Sequence, residues 1–384
     1  MIKNMAEAGG DTLIVDSNTP GGYKLKDHWT NATTLSKIAQ GNWDFVVLQE
    51  QSQLPSFPIS QVQADCFPYA KKLDSLIKKQ NPCAQTIYYM TWGRENGDQS
   101  NCAFFPPLCT YHGMDSLLRQ RYTMMANDNE GYISPVGPTW RYIRSHFTNI
   151  DLYSPDESHP SLHGTYAAAK AFYSVLLQKD PTQNAYLPVG ITNGDAYNIA
   201  QAAKITAFDS LSYWNVGKFD PNADASFVVT SGNQVTFTNL STYSTDYEWN
   251  FGDGSPVSSA ANPTHTYNIP QTGPVVVTLT ASKCGKSDAF NMTIPVTGTG
   301  INDIEQSNAF KVFPNPGTRV LNVETEFQDR YQFQITNALG QKVKSGEMKQ
   351  KVNSIKIEEL PSGVYFISVY SHLKHLGQLT FIKE

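Results

Sequence analysis

Asp156 and His159 have the residue types and the spacing of an acid-base pair. They stand three residues apart in segment 154–164, which is punctuated by Pro and Gly and precedes the apolar run 165–177. Loops that lead into helices commonly present catalytic side chains. The carboxylate can fix one ring nitrogen of the imidazole while the other nitrogen takes a proton from a hydroxyl nucleophile. The alternative is that Asp156 caps the helix and His159 is a surface histidine.

This segment resembles a known family. Asp156-x-x-His159-Pro-Ser, followed by Gly164-x-Tyr166 and a helix of small residues, is similar to the last sequence block of the SGNH (GDSL-like) hydrolases. The resemblance implies esterase or deacetylase activity on a flavodoxin-like α/β/α sheet. It also implies that Asp156 and His159 are catalytic.

The same resemblance implies two oxyanion donors. The run 43–48 is typical of a buried parallel strand and leads into Gln49 and Gln51. Gln51 falls on the Asn position of the family's Gly-x-Asn-Asp block and Gln49 on its Gly position, so the amide donor is kept although the residue type differs. Gly22, in the segment 20–23, looks like the family's glycine block, whose backbone N–H points at the oxyanion.

The family's nucleophile block is not visible. It is a Gly-Asp-Ser or Gly-Asn-Ser turn that leaves the first strand and precedes the first helix, whereas residues 2–8 here already have a helical pattern. Gly10-Asp11-Thr12-Leu13 mimics that block, but a strand follows it instead of preceding it. We therefore expect an N-terminally truncated copy that starts at an internal methionine. It would lack the serine, the first strand and the signal peptide, and would be inactive.

Length and composition predict a secreted protein of several domains. The 384 residues exceed one typical domain, and 40% hydrophobic with 16% charged residues indicates a globular chain. The net charge of −5, without a basic block, argues against nucleic-acid binding. Apolar runs are too short for a transmembrane helix.

The five cysteines leave alternatives open. Cys102 and Cys109 could close a small ring, and Cys66 and Cys83, which flank one predicted helix, could also pair. A metal site of Cys102, Cys109 and His112 is the other possibility, but this spacing matches no usual zinc pattern. No metal or cofactor is expected, and Cys284 has no predicted partner.

Residues 1–216 alternate between strand-like and helical patterns, which predicts a parallel sheet covered on both faces. Ligands of such sheets bind at the carboxyl ends of the strands. Trp92 and Arg94 follow one strand and could line the substrate cleft, although an aromatic residue there is more often packing. The predicted strands are 12–16, 45–48, 86–92 and 132–136, and the predicted helices are 2–8, 34–40, 60–79, 114–127, 165–178 and 195–214.

Residues 220–298 carry short alternating strands at the spacing of a β-sandwich. Trp249 and Phe251 alternate into a predicted core, and Gly252-Asp253-Gly254 follows as a tight turn. This pattern closely resembles the PKD domain. Asp253 is interpreted as a turn former, because the later acidic ligands of a calcium loop are missing.

Residues 301–384, after the predicted linker 297–300, also predict a small antiparallel sandwich. From Phe310 to Lys383 they resemble the type IX secretion (Por) sorting domain. The resemblance implies interaction with that secretion machinery, attachment to the outer-membrane surface and a Bacteroidetes-type source.

The sequence thus predicts an α/β flavodoxin-like three-layer domain followed by two small all-β sandwich domains. The expected function is that of a secreted or cell-surface ester hydrolase that removes acyl groups from a glycan. The alternative is a cell-surface adhesin whose hydrolase-like domain is not catalytic and whose PKD module binds polysaccharide or protein.

Overall fold

The computed structural model describes residues 1–231, 233–267, 274–294, 310–325, 331–371 and 374–384. The chain divides into two compact units. The first comprises residues 1–221 with the turn 283–286, and the second comprises 222–282 and 287–384. The predicted linker 297–300 lies outside the described residues.

The first unit is built from helices around a short parallel sheet. Its strands are β1 (Phe45–Leu48), β2 (Gln85–Tyr89) and β3 (Tyr132–Ser134), which pair in parallel in that order. The helices are α1 (Ile2–Ala8), α2 (Leu25–His28), α3 (Ala32–Ile38), α4 (Ile59–Asp65), α5 (Phe67–Gln80), α6 (Tyr111–Asp128), α7 (Val136–His146), α8 (Leu162–Leu177), α9 (Asn193–Thr206) and the 3-10 segment Phe208–Trp214.

Alternation along the strands covers both faces of this sheet with helices. Leu48, Tyr88 and Ile133 enter one core with residues of α5 and α6. Ile87 and Tyr132 point the other way and pack with residues of α8. A period of two sends neighbouring side chains to opposite faces, so a three-layer α/β/α arrangement follows. The predicted fold class is confirmed.

The predicted strand 12–16 does not form. The segment has no regular structure, and the side chains of Ile14 and Val15 are exposed. An extended segment needs a neighbouring strand for its backbone hydrogen bonds, and in the described ranges β1 pairs with β2 alone. The prediction was wrong because residue pattern alone does not supply that neighbour.

Two predicted helices are interrupted. The predicted helix 60–79 divides at Cys66 into α4 and α5, because Pro68 in the first turn of α5 has no N–H to continue the preceding helix. The predicted helix 195–214 ends at Thr206 and continues as the 3-10 segment. Helix α7, which follows β3 directly, was not predicted.

Of the two predicted cysteine pairs, Cys102 with Cys109 is confirmed and Cys66 with Cys83 is wrong. Disulfides join Cys102 to Cys109 and Cys83 to Cys284, and Cys66 is buried and free. Cys66 and Cys83 cannot pair, because the 14 residues of α5 separate them. At 1.5 Å per residue this helix is about 20 Å long, far beyond the Cα separation of a disulfide. The thiols of Cys102 and Cys109 are consumed, so the alternative zinc site with His112 is not formed.

Two features are absent from the described ranges. No group of three metal-ligating side chains lies together there. None of the helices combines the length and apolar character that crossing a bilayer needs.

The second unit is antiparallel β structure with two separate cores. In the first core Trp249 and Phe251 are buried, as their alternation predicts. Its strands are β4 (Ala225–Ser231), β5 (Gln234–Asn239), β6 (Asp246–Asn250), β7 (Thr264–Thr266), β8 (Val275–Lys283) and β9 (Lys286–Ile294), in sheets β4-β5-β7 and β6-β8-β9.

The remaining strands surround the second core. They are β10 (Phe310–Phe313), β11 (Val320–Thr325), β12 (Tyr331–Asn337), β13 (Lys342–Met348), β14 (Val352–Lys356), β15 (Gly363–Ser371) and β16 (Lys374–Lys383). They form sheets β10-β11-β14 and β13-β12-β15-β16. Both parts of this unit are therefore all-β, as expected.

Asp253 should make the stability of the first β core depend on acid. Its Oδ2 lies 2.8 Å from Nε2 of His265 and its Oδ1 accepts the N–H of Ser255. Although burial opposes ionisation, these hydrogen bonds lower the pKa of Asp253 from 3.8 to about 2. The stabilisation is therefore complete above about pH 4 and is lost as the pH falls through 2.

Asp253→Asn is expected to flatten this dependence between pH 4 and pH 2 in calorimetric unfolding. Asp246→Asn, which changes an exposed aspartate at the start of β6 in the same domain, should keep the wild-type slope. Equal slopes for wild type and Asp253→Asn would contradict the assignment.

Candidate active site

The loop that carries the candidate acid-base pair is closed by its own backbone. The N–H of Ser154 donates to the carbonyl of His159 at 2.8 Å, and Tyr153 and Pro160 form an isolated β-bridge. Helix α8 then begins with Ser161 as its N-cap, whose Oγ accepts the N–H of Gly164. The cap of α8 is thus Ser161 and not Asp156, which excludes the alternative interpretation of Asp156.

Asp156 holds His159 by both backbone and ring. Its Oδ1 accepts the N–H of His159 at 2.9 Å and that of Ser158 at 3.1 Å, while its Oδ2 is hydrogen-bonded to Nδ1 of His159. The hydrogen bond from the His159 ring, with those from the backbone, lowers the pKa of Asp156 to about 2. The carboxylate is therefore ionised at neutral pH and fixes the ring orientation.

The other ring nitrogen of His159 is accessible. The His159 side chain is 79% exposed, and its Nε2 has no hydrogen-bond partner within the described residues. A nitrogen in this state is free to accept a proton from a bound hydroxyl.

The loop lies against the segment that follows β2. Nε1 of Trp92 donates to the carbonyl of Ser158 at 3.1 Å, and the N–H of Glu95 donates to the carbonyl of Glu157 at 2.9 Å. The Trp92 ring stacks on Trp140 with centroids 3.9 Å apart. Trp92 therefore positions the loop and packs in the core, and its contact with substrate stays a prediction.

Gln51 uses most of its carboxamide in its own turn. Its Oε1 accepts the N–H groups of Gln53 and Leu54, and its Nε2 donates to Oε1 of Gln53 at 3.0 Å. One hydrogen of Nε2 remains for a ligand. Gln49 follows the buried Leu48 in an extended run, so its side chain points to the opposite side and is exposed.

A buried aspartate joins the loops that follow β1 and β2. Asp98 is completely buried, accepts from Nε2 of Gln53 at 2.8 Å and is ion-paired with Arg94 at 3.2 Å. Gln51 and His159 thus belong to loops that are both anchored on residues 92–98. Both loops therefore contact the segment that follows β2.

Gly22 lies in an exposed turn before α2. Its φ of +73° is a conformation that favours glycine, and no atom lies within 4 Å of the position that a Cβ would occupy. The structure shows no direct contact between Gly22 and the loop of His159.

Glu50 is the residue of this region that the sequence patterns did not single out. It is 1% exposed, and its carboxylate accepts the N–H of Gln51 at 2.7 Å and that of Leu25 at 3.3 Å. It therefore ties the turn of Gly22, through α2, to the turn of Gln51. The available signal was alternation, since Leu48 and Glu50 share the inward face of one extended run.

Burial dominates the electrostatics of Glu50. Desolvation raises its pKa to about 7, even though hydrogen bonds from Gln51, Leu25 and Cys66 favour the charged form. The same burial raises the pKa of the Cys66 thiol, which stays neutral.

Glu50 should make the first unit less stable as the pH rises. Its folded pKa of about 7 exceeds the ordinary 4.5, so stability is complete below about pH 4.5 and falls until pH 7. A shift of this size corresponds to about 3 kcal/mol. Glu50→Gln is expected to reduce this slope in urea unfolding, because only the smaller contributions of the buried Asp74 and Asp115, whose pKa values burial also raises, then remain. Glu7→Gln, at an exposed position of α1, should keep the wild-type slope. An unchanged slope in Glu50→Gln would refute the assignment.

Trp92→Phe should loosen the loop without emptying the core. Phenylalanine keeps an aromatic ring against Trp140 but removes the N–H that satisfies Ser158, a loss of about 1 kcal/mol. We expect faster amide hydrogen exchange at residues 154–159. Trp29→Phe, outside this region, is the matched control, and unchanged exchange in Trp92→Phe would contradict the positioning role.

Comparisons with solved structures give distant likenesses for the first unit. A DUF4886 family protein from Bacteroides uniformis is 20% identical over 56% of this chain and 88% of its own, with a TM-score of 0.48. A protein from Slackia heliotrinireducens that is provisionally assigned as an SGNH hydrolase is 23% identical over 46% of this chain and 90% of its own, with a TM-score of 0.35. A comparison with curated proteins finds no match.

Family models identify the second unit. Residues 219–297 match the PKD domain and residues 311–382 match the secretion system C-terminal sorting domain. The PKD1 domain of the Vibrio cholerae metalloprotease PrtV is 34% identical over 20% of this chain and 98% of its own, with a TM-score of 0.19. The sorting domain implies interaction with the type IX secretion machinery and indicates secretion with attachment to the cell surface. The chain therefore contains a PKD domain at residues 219–297 and a secretion system C-terminal sorting domain at residues 311–382.

Proposed function

We propose that the first unit is an ester hydrolase of the SGNH type, with His159 as its base and Asp156 as the group that orients it. The observation that carries the proposal is the hydrogen bond of Asp156 to Nδ1 of His159, combined with the exposure of the ring. Proton abstraction from a hydroxyl needs an imidazole with an ionised carboxylate on one ring nitrogen and open access to the other, and this pair has that arrangement.

The proposed reaction is acyl transfer. Nε2 of His159 takes the proton of an attacking hydroxyl while Asp156 stabilises the imidazolium that forms. The N–H of Gly22 and the remaining hydrogen of Gln51 Nε2 bind the oxyanion, and one such donor is worth about 100- to 1000-fold in rate. The imidazolium then returns its proton to the leaving alcohol. No serine of this chain is assigned as the nucleophile.

The domain context supports an extracellular substrate. The sorting domain places the chain at the cell surface, and PKD modules commonly serve as spacers or contact surfaces. Acyl esters of polysaccharides, such as acetyl groups, are ester substrates that are present outside the cell. We therefore propose an acylated glycan as the substrate class.

The test is hydrolysis of p-nitrophenyl acetate and of acetylated xylan by the complete gene product. His159→Ala is expected to lower kcat by at least about 1000-fold, because the attacking hydroxyl then has no base to take its proton. Asp156→Asn should cost less, and Gln51→Ala should lower kcat more than it raises KM. Exposed His112→Ala and Thr12→Ala are the controls and should change little.

Wild-type turnover in His159→Ala would reject the assignment of the base. Loss of turnover in Thr12→Ala, with none in His159→Ala, would move the chemistry to the segment 10–13.

A second candidate is a surface adhesin with a hydrolase-like domain that is not catalytic. It is favoured by one observation: within the described residues no hydroxyl is hydrogen-bonded to Nε2 of His159. Binding of acetylated xylan without release of acetate by the complete gene product would support this function over hydrolysis.

A further inference from the structure

A pocket of about 360 Å³ opens in the first unit between α6, α7 and the 3-10 segment Phe208–Trp214. It lies outside the residues of the proposed acid-base pair and its oxyanion donors. Its volume is in the range of sites for one small molecule. It is lined by Asp115, Arg119, Pro138, Arg141, Tyr142, Ser145, Thr206, Ser210, Tyr213 and Trp214.

The pocket carries one positive charge that the protein does not neutralise. Arg141 is ion-paired with the buried Asp115 at 2.5 Å and also donates to Ser116. Arg119 forms no direct ion pair within the described residues, although its charge also acts on the Asp115 carboxylate at longer range, and its Nη2 donates to the Tyr213 hydroxyl at 3.1 Å. A guanidinium held in one orientation presents two parallel donors, which match a planar carboxylate.

The charge balance favours a monoanion. Two guanidinium groups and one carboxylate leave a net charge of about +1 in the lining. One carboxylate compensates it, whereas a phosphate dianion would exceed it next to the buried Asp115.

Aromatic rings and hydroxyl groups complete the lining. The guanidinium of Arg119 lies 5.5 Å from the ring centroid of Tyr213 and 5.6 Å from that of Trp214, and Tyr213 is 59% exposed. An exposed ring can pack against an apolar face of a ligand. Ser210 donates its hydroxyl hydrogen to the carbonyl of Ile205. Ser145 donates to a backbone carbonyl of α7, and its Oγ also lies 2.9 Å from Nδ1 of His146, so each oxygen keeps a lone pair that can accept from a ligand hydroxyl.

We propose that this pocket binds a carboxylated monosaccharide, a hexuronate. The carboxylate lies on the free donors of Arg119, the apolar face of the pyranose ring packs on Tyr213, and ring hydroxyls donate to Ser145 and Ser210. The proposal is independent of ester hydrolysis, because none of these residues belongs to the proposed catalytic groups.

The experiment is isothermal titration of the full chain with galacturonate, galactose, acetate and inorganic phosphate at pH 7. Galacturonate is expected to bind at least 10-fold more tightly than the other three, and added salt should weaken it. Arg119→Gln, which keeps amide donors near Tyr213, should raise the Kd at least 10-fold, and Arg119→Lys should raise it less. Arg319→Gln, an exposed arginine of the second unit, is the matched control.

The comparison of ligands on the unmodified chain does not depend on whether a variant folds. Equal binding of galactose and galacturonate, or no binding of either at millimolar concentration, would overturn the proposal. So would phosphate binding as tight as that of galacturonate, since it would assign a general anion site. Unchanged affinity in folded Arg119→Gln would also overturn it.

Discussion

Two buried carboxylates hold the carboxyl edge of the sheet together. Glu50 and Asp98 are 1% and 0% exposed, and each accepts hydrogen bonds from segments far apart in the chain. An unpaired buried carboxylate is costly, so the loops that satisfy these groups are constrained to meet. Glu50 joins the turns of Gly22 and Gln51, and Asp98 joins the latter to residues 92–98. The candidate site depends on both.

The parts of the fold that the sequence predicted are those that local pattern determines. Helix α8 and strand β1 follow from apolar periodicity, and Trp249 alternates into its core as its spacing predicts. The segment 12–16 has the same kind of pattern, but none of the described strands lies beside it, so it stays irregular. Cys83 forms a disulfide with Cys284, which is 201 residues away in the chain, and local spacing cannot predict such a pair.

In the candidate site, too, contacts between residues near each other in the chain could be predicted, whereas contacts between distant residues could not. Asp156 and His159 are three residues apart, so one turn of backbone suffices to bring the carboxylate to the ring. The role of Trp92 in positioning the loop could be identified only from the tertiary structure, because its ring N–H donates to a carbonyl 66 residues away in the chain. Glu50 was not predicted, because its residue type alone does not distinguish a buried glutamate from the many exposed acidic residues of a chain.

Asp156–His159 and Asp253–His265, two of the Asp-His pairs among the described residues, show why ionisation alone does not identify a catalytic group. The pKa values of Asp156 and Asp253 are both about 2, and each carboxylate is bonded to an imidazole. His265 is 15% exposed and stacks on Phe251 with centroids 4.0 Å apart, so no substrate reaches its ring. The His159 side chain is 79% exposed, and its free nitrogen faces solvent. The same pair therefore stabilises a turn where the ring is enclosed and is available for proton transfer where the ring is open.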